Sequence, residues 1–550
     1  MPAQEVGSML SGSSKLSKSG VAVGSLAAIV ICLVLATSAS ATVVSDEKTR
    51  NKASKAMRNG DFEVAEKIFR DLLIKDAHDN EARLGLSLAL LKQRNLQGAY
   101  DNAARVILLD PLSSRAHALL GAAILSGGDF RNSVEEFRTA LALSEDEPMA
   151  IAGLAMIDFY ENRLELAIRG LRRAAGLDSN EPDYIFNLAQ AAARSERYRE
   201  AADAYERFLS IAPKTDEDRR GRIRGLIDFL RYLGKQSSLY VPTGDNRTVV
   251  SFEGYDNRPI LNVRVNGHKN LMRFVLDTGS GMSVISDATA KKLGLNPVAR
   301  GGLARAVGGG GKFEIVYGYL SSVEVGDVRI ENVPVYIRRF YDEKNPVDGY
   351  IGISLISKFV ALLDYGQRTF TLVRQRSEDG SSWTTIDRAG NPEAPVGVIT
   401  AANKHEIPLR TTSSGFLSGE VGLEGFDKPL NFIIDTGASV SVVSHRLAEF
   451  EPITAYLQPT KMRVFGAAGV AENVNTVLLP KVMLGALTRE KISAAVLDMD
   501  PVNETAGFTQ NGILGGNFLR HFRVSFDFAR GLIRLEPLDE TARNGDSIRN

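Results

Sequence analysis

The chain has 550 residues, more than one hydrophobic core accommodates, so roughly two to four domains are expected. Its 66 basic and 66 acidic residues balance, which argues against a nucleic-acid binder, and 44% hydrophobic with 24% charged content excludes a disordered chain. Six scattered histidines and one cysteine, Cys32, exclude a disulfide framework and a cysteine zinc site, and no metal or other cofactor is expected.

The first element is an apolar run from Val21 to Thr37, preceded by Lys15 and Lys18 and followed by Ala39-Ser40-Ala41. This pattern predicts a cytoplasmic n-region over 1–20, then a segment over 21–44 that is either a cleaved signal peptide or an uncleaved transmembrane anchor. Either way the remainder is expected to be exported, to a periplasmic or other extracytoplasmic compartment. Membrane attachment follows only if the segment stays uncleaved.

From about Asp46 to Lys235 the sequence repeats. Phe62, Leu96, Phe130, Leu164 and Tyr198 stand 34 positions apart. Three residues after each marker come Ala65, Ala99, Ser133, Ala167 and Ala201, and seven after come Phe69, Ala103, Phe137, Leu171 and Tyr205. Small residues let paired helices approach, and the larger ones fill the space between units. The pattern resembles the tetratricopeptide repeat (TPR) family, with five helix-turn-helix units and a capping helix near Arg222 to Leu233. The resemblance implies an all-α solenoid over 46–235 whose concave face docks a protein partner or a polypeptide substrate.

Beyond Gly234 the texture changes to short strands and many glycines. Leu261-Asn262-Val263-Arg264-Val265 alternates as a half-buried strand does. It leads to Phe274-Val275-Leu276-Asp277-Thr278-Gly279-Ser280, and 158 positions later the same sentence returns as Phe432-Ile433-Ile434-Asp435-Thr436-Gly437-Ala438. Downstream, Tyr350-Ile351-Gly352 is matched by Ile513-Leu514-Gly515, and from there Phe359, Asp364 and Leu372 run in register with Phe522, Asp527 and Leu535. This is an internal duplication. Its lobes are expected over 249–375 and 398–538, joined by a Ser/Gly/Pro/Asp-rich linker over 376–397 and followed by a disordered tail over 539–550.

Two Asp-Thr-Gly triplets in matching contexts, each with a later hydrophobic-hydrophobic-Gly, resemble the retropepsin-like aspartic peptidases, with bacterial and gag-like proteins nearest. The resemblance implies two all-β lobes related by a pseudo-two-fold axis and an endopeptidase that needs no cofactor. Its catalytic pair would be Asp277 and Asp435. Two carboxyl groups about 3 Å apart cannot both ionise near neutral pH, so one activates a water while the other, still protonated, polarises the scissile carbonyl. The resemblance further implies that Thr278 and Thr436 brace the pair across the lobe interface. Gly279 and Gly437 turn the loops, and the apolar Ile351-Gly352 and Leu514-Gly515 pass beside them, where a side chain would intrude. Gly308, Gly309 and Gly310, and in the second copy Gly466 and Gly469, lie where the family places flap hairpins. Ser280 faces Ala438 in the duplication, and its hydroxyl is expected to stabilise an ionised Asp277, leaving the proton on Asp435.

The chain departs from the viral enzymes, which carry an acid after the triplet and an arginine after the later glycine. Met282 and Val440 replace the first and Ser354 and Asn517 the second. Asp364 and Asp527 read as turn residues. Two alternatives stay open: a catalytically silent peptide-binding adaptor, and lobes that act only as dimers between chains.

Overall fold

The computed structural model of the chain describes residues 47–309, 311–374 and 405–538. The segments expected over 1–20, 21–44, 376–397 and 539–550 lie outside the described residues, as does Gly310. Among the described residues no helix is long and apolar enough to cross a membrane.

The helical array begins with α1 (47–59) and α2 (Phe62–Lys75). The following pairs are α3 (Asn80–Lys92) with α4 (Leu96–Leu109), and α5 (Ser114–Gly127) with α6 (Phe130–Leu143). Next come α7 (Pro148–Tyr160) with α8 (Leu164–Leu177), and α9 (Pro182–Arg194) with α10 (Tyr198–Ile211), before α11 (Glu217–Leu233). Every 34-residue marker is the first residue of the second helix in its pair. The reason is local. Asn95 and Asp129, just before their markers, accept the N–H groups of Gly98 and Asn132 at 3.0 and 3.2 Å as N-caps. One position earlier the chain turns left-handed in every unit, at Gly60, Arg94, Gly128, Asn162 and Glu196, with φ between 60° and 90°. Ala65, Ala99, Ser133, Ala167 and Ala201 are all fully buried, as close helix contact requires. Phe137 fills the gap between Gly121 and Gly153, where a Cβ would come within 2.8 and 2.2 Å of its ring.

The first lobe comprises β1 (Val241–Gly244), β2 (Arg247–Ser251), β3 (Glu253–Tyr255), β4 (Arg258–Val265), β5 (Met272–Leu276) and β6 (Ser283–Ser286). It continues through α12 (Asp287–Lys292), β7 (Ala299–Arg305), β8 (Lys312–Val325), β9 (Val328–Arg338) and β10 (Gly349–Ile351). α13 (Ile353–Ile356), β11 (Phe359–Asp364) and β12 (Thr369–Arg374) complete it. The second lobe opens with β13 (Glu406–Pro408), β14 (Arg410–Thr411), β15 (Leu417–Leu423), β16 (Leu430–Ile434) and β17 (Ser441–Ser444). After α14 (His445–Ala448) and α15 (Glu451–Thr454) come β18 (Leu457–Gly466), β19 (Gly469–Leu484) and β20 (Leu487–Leu497). α16 (Asp500–Ala506), β21 (Gly512–Leu514), α17 (Gly516–Leu519), β22 (Phe522–Asp527) and β23 (Leu532–Pro537) close the chain.

Each lobe threads its third key strand between the other two. β10 runs parallel to β5 and antiparallel to β6, and β21 sits the same way between β16 and β17. The lobes then share a six-stranded sheet in the order β13-β23-β22-β11-β12-β2. At its centre β11 pairs with β22, and Leu362 lies opposite Ser525, its own counterpart in the duplication. The pseudo-two-fold axis passes through that pair, and one continuous apolar core extends across both lobes. Asp364 caps the turn after β11 by accepting the N–H groups of Gly366 and Gln367, and it holds Arg523 of the other lobe at 2.8 Å. The turn reading of Asp364 holds.

The array packs on both lobes. Phe508 of the second lobe is fully buried against Phe130 and Tyr160, with ring centroids 4.9 and 5.0 Å away. Thr509 donates its N–H and its hydroxyl to the Ser126 carbonyl at 2.9 and 3.0 Å. On the first lobe α11 lies along β7, Phe229 stacks on Tyr317 at 4.3 Å, and Arg222 donates to the Leu303 carbonyl at 2.8 Å. Gly225 lets the strand approach: a Cβ there would stand 2.1 Å from the Arg300 carbonyl oxygen.

Candidate active site

β5 and β16 end in Leu276 and Ile434, both fully buried, and each delivers an aspartate to the axis between the lobes. The Asp277 and Asp435 N–H groups donate to the Ile351 and Leu514 carbonyls, both at 3.0 Å, which fixes each triplet against the strand threaded beside it. Thr278 and Thr436, both fully buried, then reach across the interface. The Thr278 hydroxyl donates to the Ile434 carbonyl at 2.8 Å and accepts the Thr436 N–H at 3.0 Å. The Thr436 hydroxyl reciprocates, donating to the Leu276 carbonyl at 2.7 Å and accepting the Thr278 N–H at 3.2 Å. Both lobes come from one chain, so the pair is assembled without a second molecule.

The glycines lie beneath the opposite acid. A Cβ on Gly279 would stand 2.3 Å from Cγ and Oδ2 of Asp435, and one on Gly437 would stand 2.6 Å from Oδ1 of Asp277. The Gly279 N–H donates to Asp277 at 3.0 Å, and the Gly437 and Ala438 N–H groups donate to Asp435 at 2.7 and 3.2 Å. Gly352 and Gly515 pass where a Cβ would meet Met282 and Val440 backbone at 2.6 and 2.9 Å. Their N–H groups donate to the Ser283 and Ser441 hydroxyls at 3.0 and 3.1 Å. Sequence reasoning assigned these serines no role, although their equivalent places in the duplication were visible.

Where the viral enzymes use an ion pair, hydrogen bonds serve instead. The Ser354 N–H donates to the Gly281 carbonyl at 2.9 Å, and Asn517 Oδ1 accepts the Ser441 N–H and hydroxyl at 2.9 and 2.8 Å.

The two carboxyl groups are in hydrogen-bonding contact. Withdrawal from water pushes Asp277 well above the ordinary carboxylate range, and the Asp435 charge and the hydrogen bond to it push further. Burial also raises Asp435, but the Gly437 N–H, the Asp277 hydrogen bond and the Ala438 N–H oppose that rise. Two backbone N–H groups of its own loop face Asp435 against one for Asp277, which favours the charge on Asp435 and the proton on Asp277. This corrects the expectation built on Ser280. Its hydroxyl donates to the Met282 carbonyl at 2.7 Å, not to Asp277, while the extra N–H donor falls to Asp435.

Both glycine-rich hairpins lie over the pair. β7–β8 and β18–β19 meet tip to tip, so close that a Cβ on Gly309 would stand 2.7 Å from the Gly469 Cα, and one on Gly466 would stand 2.1 Å from the Gly308 carbonyl oxygen. A cleft of about 1300 Å³ runs beneath them, with Asp277 and Asp435 in its wall. The array contributes to the same wall through Asn162, at the turn of its fourth pair, and through Gln190 and Arg194 of α9 and Glu196 at the turn of the fifth. No sequence signal marked these residues as cleft-lining.

A family model described as Aspartyl protease matches residues 261–355 and 420–518, and one described as Tetratricopeptide repeat matches 50–105 and 153–215. A curated relative, the formate-dependent nitrite reductase complex subunit NrfG of Escherichia coli O157:H7, is 26% identical over 122 residues. That match takes in 22% of this chain and 62% of the relative's length. Among solved structures, a thermophilic TPR protein of Thermus thermophilus is 19% identical, with a TM-score of 0.29 over 33% of this chain and 98% of that one. The pilF protein of Pseudomonas aeruginosa is 14% identical, with a TM-score of 0.27 over 34% of this chain and 84% of that one.

Proposed function

We propose that this chain, a tetratricopeptide-repeat array followed by two aspartyl-protease-like lobes, is an aspartic endopeptidase acting on polypeptides through Asp277 and Asp435. One observation carries the reading: the two carboxyl groups touch across the pseudo-two-fold axis, each seated on the other lobe's glycine. Ionised Asp435 takes a proton from a water held between the acids, and the water oxygen bonds to the scissile carbonyl carbon. Asp277 donates its proton toward the carbonyl oxygen, which carries the developing charge. When the C–N bond breaks, the proton taken by Asp435 passes to the leaving nitrogen, and Asp277 takes back a proton from a hydroxyl of the tetrahedral intermediate as the C=O bond re-forms, so the pair again shares a single proton.

The array wall of the cleft supports a role for the repeats in holding the polypeptide, in keeping with the protein-interaction use of such repeats. Export directed by residues 21–44 belongs to this reading, and fractionation of cells expressing the full chain tests it.

The direct test is digestion of casein and a peptide mixture by the purified chain, beside Asp277→Asn and Asp435→Asn, with and without a pepstatin-like inhibitor. Cleavage is expected from the parent alone, inhibited, and falling as pH rises past the point where the shared proton is lost. Cleavage that survives both substitutions overturns the assignment.

A further inference from the structure

Two lobes of one duplication can be compared at equal register, and one charged position has no twin. In the first lobe β6 pairs with β9, setting Val284 beside Tyr336 and Ser286 beside Arg338. In the second, β17 pairs with β20, setting Val442 beside Ala495 and Ser444 beside Leu497. Tyr336 and Arg338 therefore correspond to Ala495 and Leu497. By the same logic Tyr350, beside Val284, corresponds to Ile513, beside Val442. All six of these side chains line the cleft. One half is aromatic and cationic, and the other is small and aliphatic.

The Arg338 guanidinium lies 5.9 Å from the ring centre of Phe313 on the flap strand β8 and 5.8 Å from that of Phe340. Its Nε is enclosed and makes no hydrogen bond, and among the described residues no carboxylate pairs with it. Asp342, on the loop that follows, pairs instead with Arg258 at 3.5 Å. The ionisable groups whose charge reaches Arg338 are Tyr350, Asp277 and Tyr341. Arg338 is half-buried, held between two rings with its Nε enclosed, and a carboxylate delivered by a ligand would offset that partial loss of hydration through two parallel hydrogen bonds. β10 and β6 stand between β5, which carries Asp277, and β9, so the backbones are roughly 14 Å apart. The arginine side chain spans part of that gap. The residue it meets on an extended substrate lies within about three positions of the scissile bond, at roughly 3.3 Å per residue.

We propose that Arg338 is a specificity residue that receives a substrate carboxylate in the first-lobe half of the cleft, while Leu497, Ala495 and Ile513 receive an aliphatic side chain in the second. This rests on the peptidase reading above.

The test digests a synthetic peptide mixture, with free and with amidated C-termini, using the full chain, and reads the cleavage sites by mass spectrometry. The best-cut sequence is remade with Glu replaced by Gln. The parent is expected to favour Glu in kcat/KM by about tenfold or more. Arg338→Leu, which copies the second lobe, is expected to bring that ratio near one, and Arg338→Lys to keep part of it. A preference that follows internal Glu and Asp assigns the carboxylate to a side chain, and one lost on amidation assigns it to the peptide terminus; both support the proposal. A parent indifferent both to Glu against Gln and to amidation of the C-terminus, or a preference that survives Arg338→Leu, overturns it. Binding of the Glu and Gln peptides to Asp435→Asn, with and without Arg338→Leu, is read by fluorescence anisotropy and does not depend on hydrolysis. If the parent cuts nothing, the peptidase reading fails while this arm, run on the Glu-containing peptide of the mixture that binds tightest and on its Gln and amidated versions, still decides Arg338: a carboxylate preference removed by Arg338→Leu supports it, and equal binding of all versions overturns it.

Discussion

Replacing Thr436 by valine keeps the shape of the side chain and removes one hydroxyl, which serves the other lobe. That hydroxyl donates to the Leu276 carbonyl at 2.7 Å and accepts the Thr278 N–H at 3.2 Å, so the substitution orphans two backbone groups of the first lobe in a fully buried place. Each orphaned buried polar group costs about 1–3 kcal/mol, and relaxation of the loop brings the pair to about 2–4 kcal/mol. At about 1.4 kcal/mol per factor of ten, local opening of the first catalytic loop rises roughly 30- to 1000-fold. Hydrogen exchange read by mass spectrometry on peptides covering 272–286 measures it. The Thr436 N–H still donates to the Thr278 hydroxyl at 3.0 Å, so exchange in the second lobe changes less. Thr278→Val is expected to give the mirror image. A rise below about threefold, or one confined to the lobe carrying the substitution, refutes the cross-lobe wiring.

Gly279→Ala places a methyl group 2.3 Å from the Asp435 carboxyl, against ordinary contact at 3.4 Å or more. Parting the acids by about 1 Å should lower kcat/KM roughly 100-fold, and activity within a few-fold of the parent would contradict it. Folding raises the Asp277 pKa, so the folded chain binds a proton that the unfolded chain releases, and stability declines as pH climbs above the ordinary carboxylate value near 4. Asp277→Asn is therefore expected to melt higher than the parent at neutral pH, with the difference closing near pH 4; a gain that is flat with pH contradicts the shift. Phe508→Ala empties the seam between array and second lobe at a cost of about 3–5 kcal/mol, and protection of residues 114–160 from exchange should fall. Unchanged protection there would mean that the seam is held elsewhere.

The repeats were legible because every unit solves the same packing problem with the same residues. Phe62 and its four successors each open a helix, and Ala65 and its successors vanish into the interface. The catalytic loops were legible because the chain spells them twice. What stayed hidden is whatever occurs once. Phe130 reads as a repeat marker, and nothing in the sequence says that Phe508 will cover it. Arg338 escapes a search for duplicated residues because its counterpart is Leu497. Ser280 misled because residue type gives a hydroxyl its capacity but not its direction, and the Met282 carbonyl took it.

The grip of α11 on β7 makes the two hairpins mechanically unequal. β7 is pinned through Arg222 to Leu303 and through Gly225 against Arg300, and Arg305 at its end is tied to Glu504 at 2.8 Å. β18, its opposite number, is exposed along most of its length. Entry to the cleft is therefore expected to work as a door with one fixed jamb and one swinging leaf, with Phe465 travelling further than Ala306. Faster amide exchange over 457–466 than over 299–305 is the expected signature, and equal rates would mean that both leaves swing.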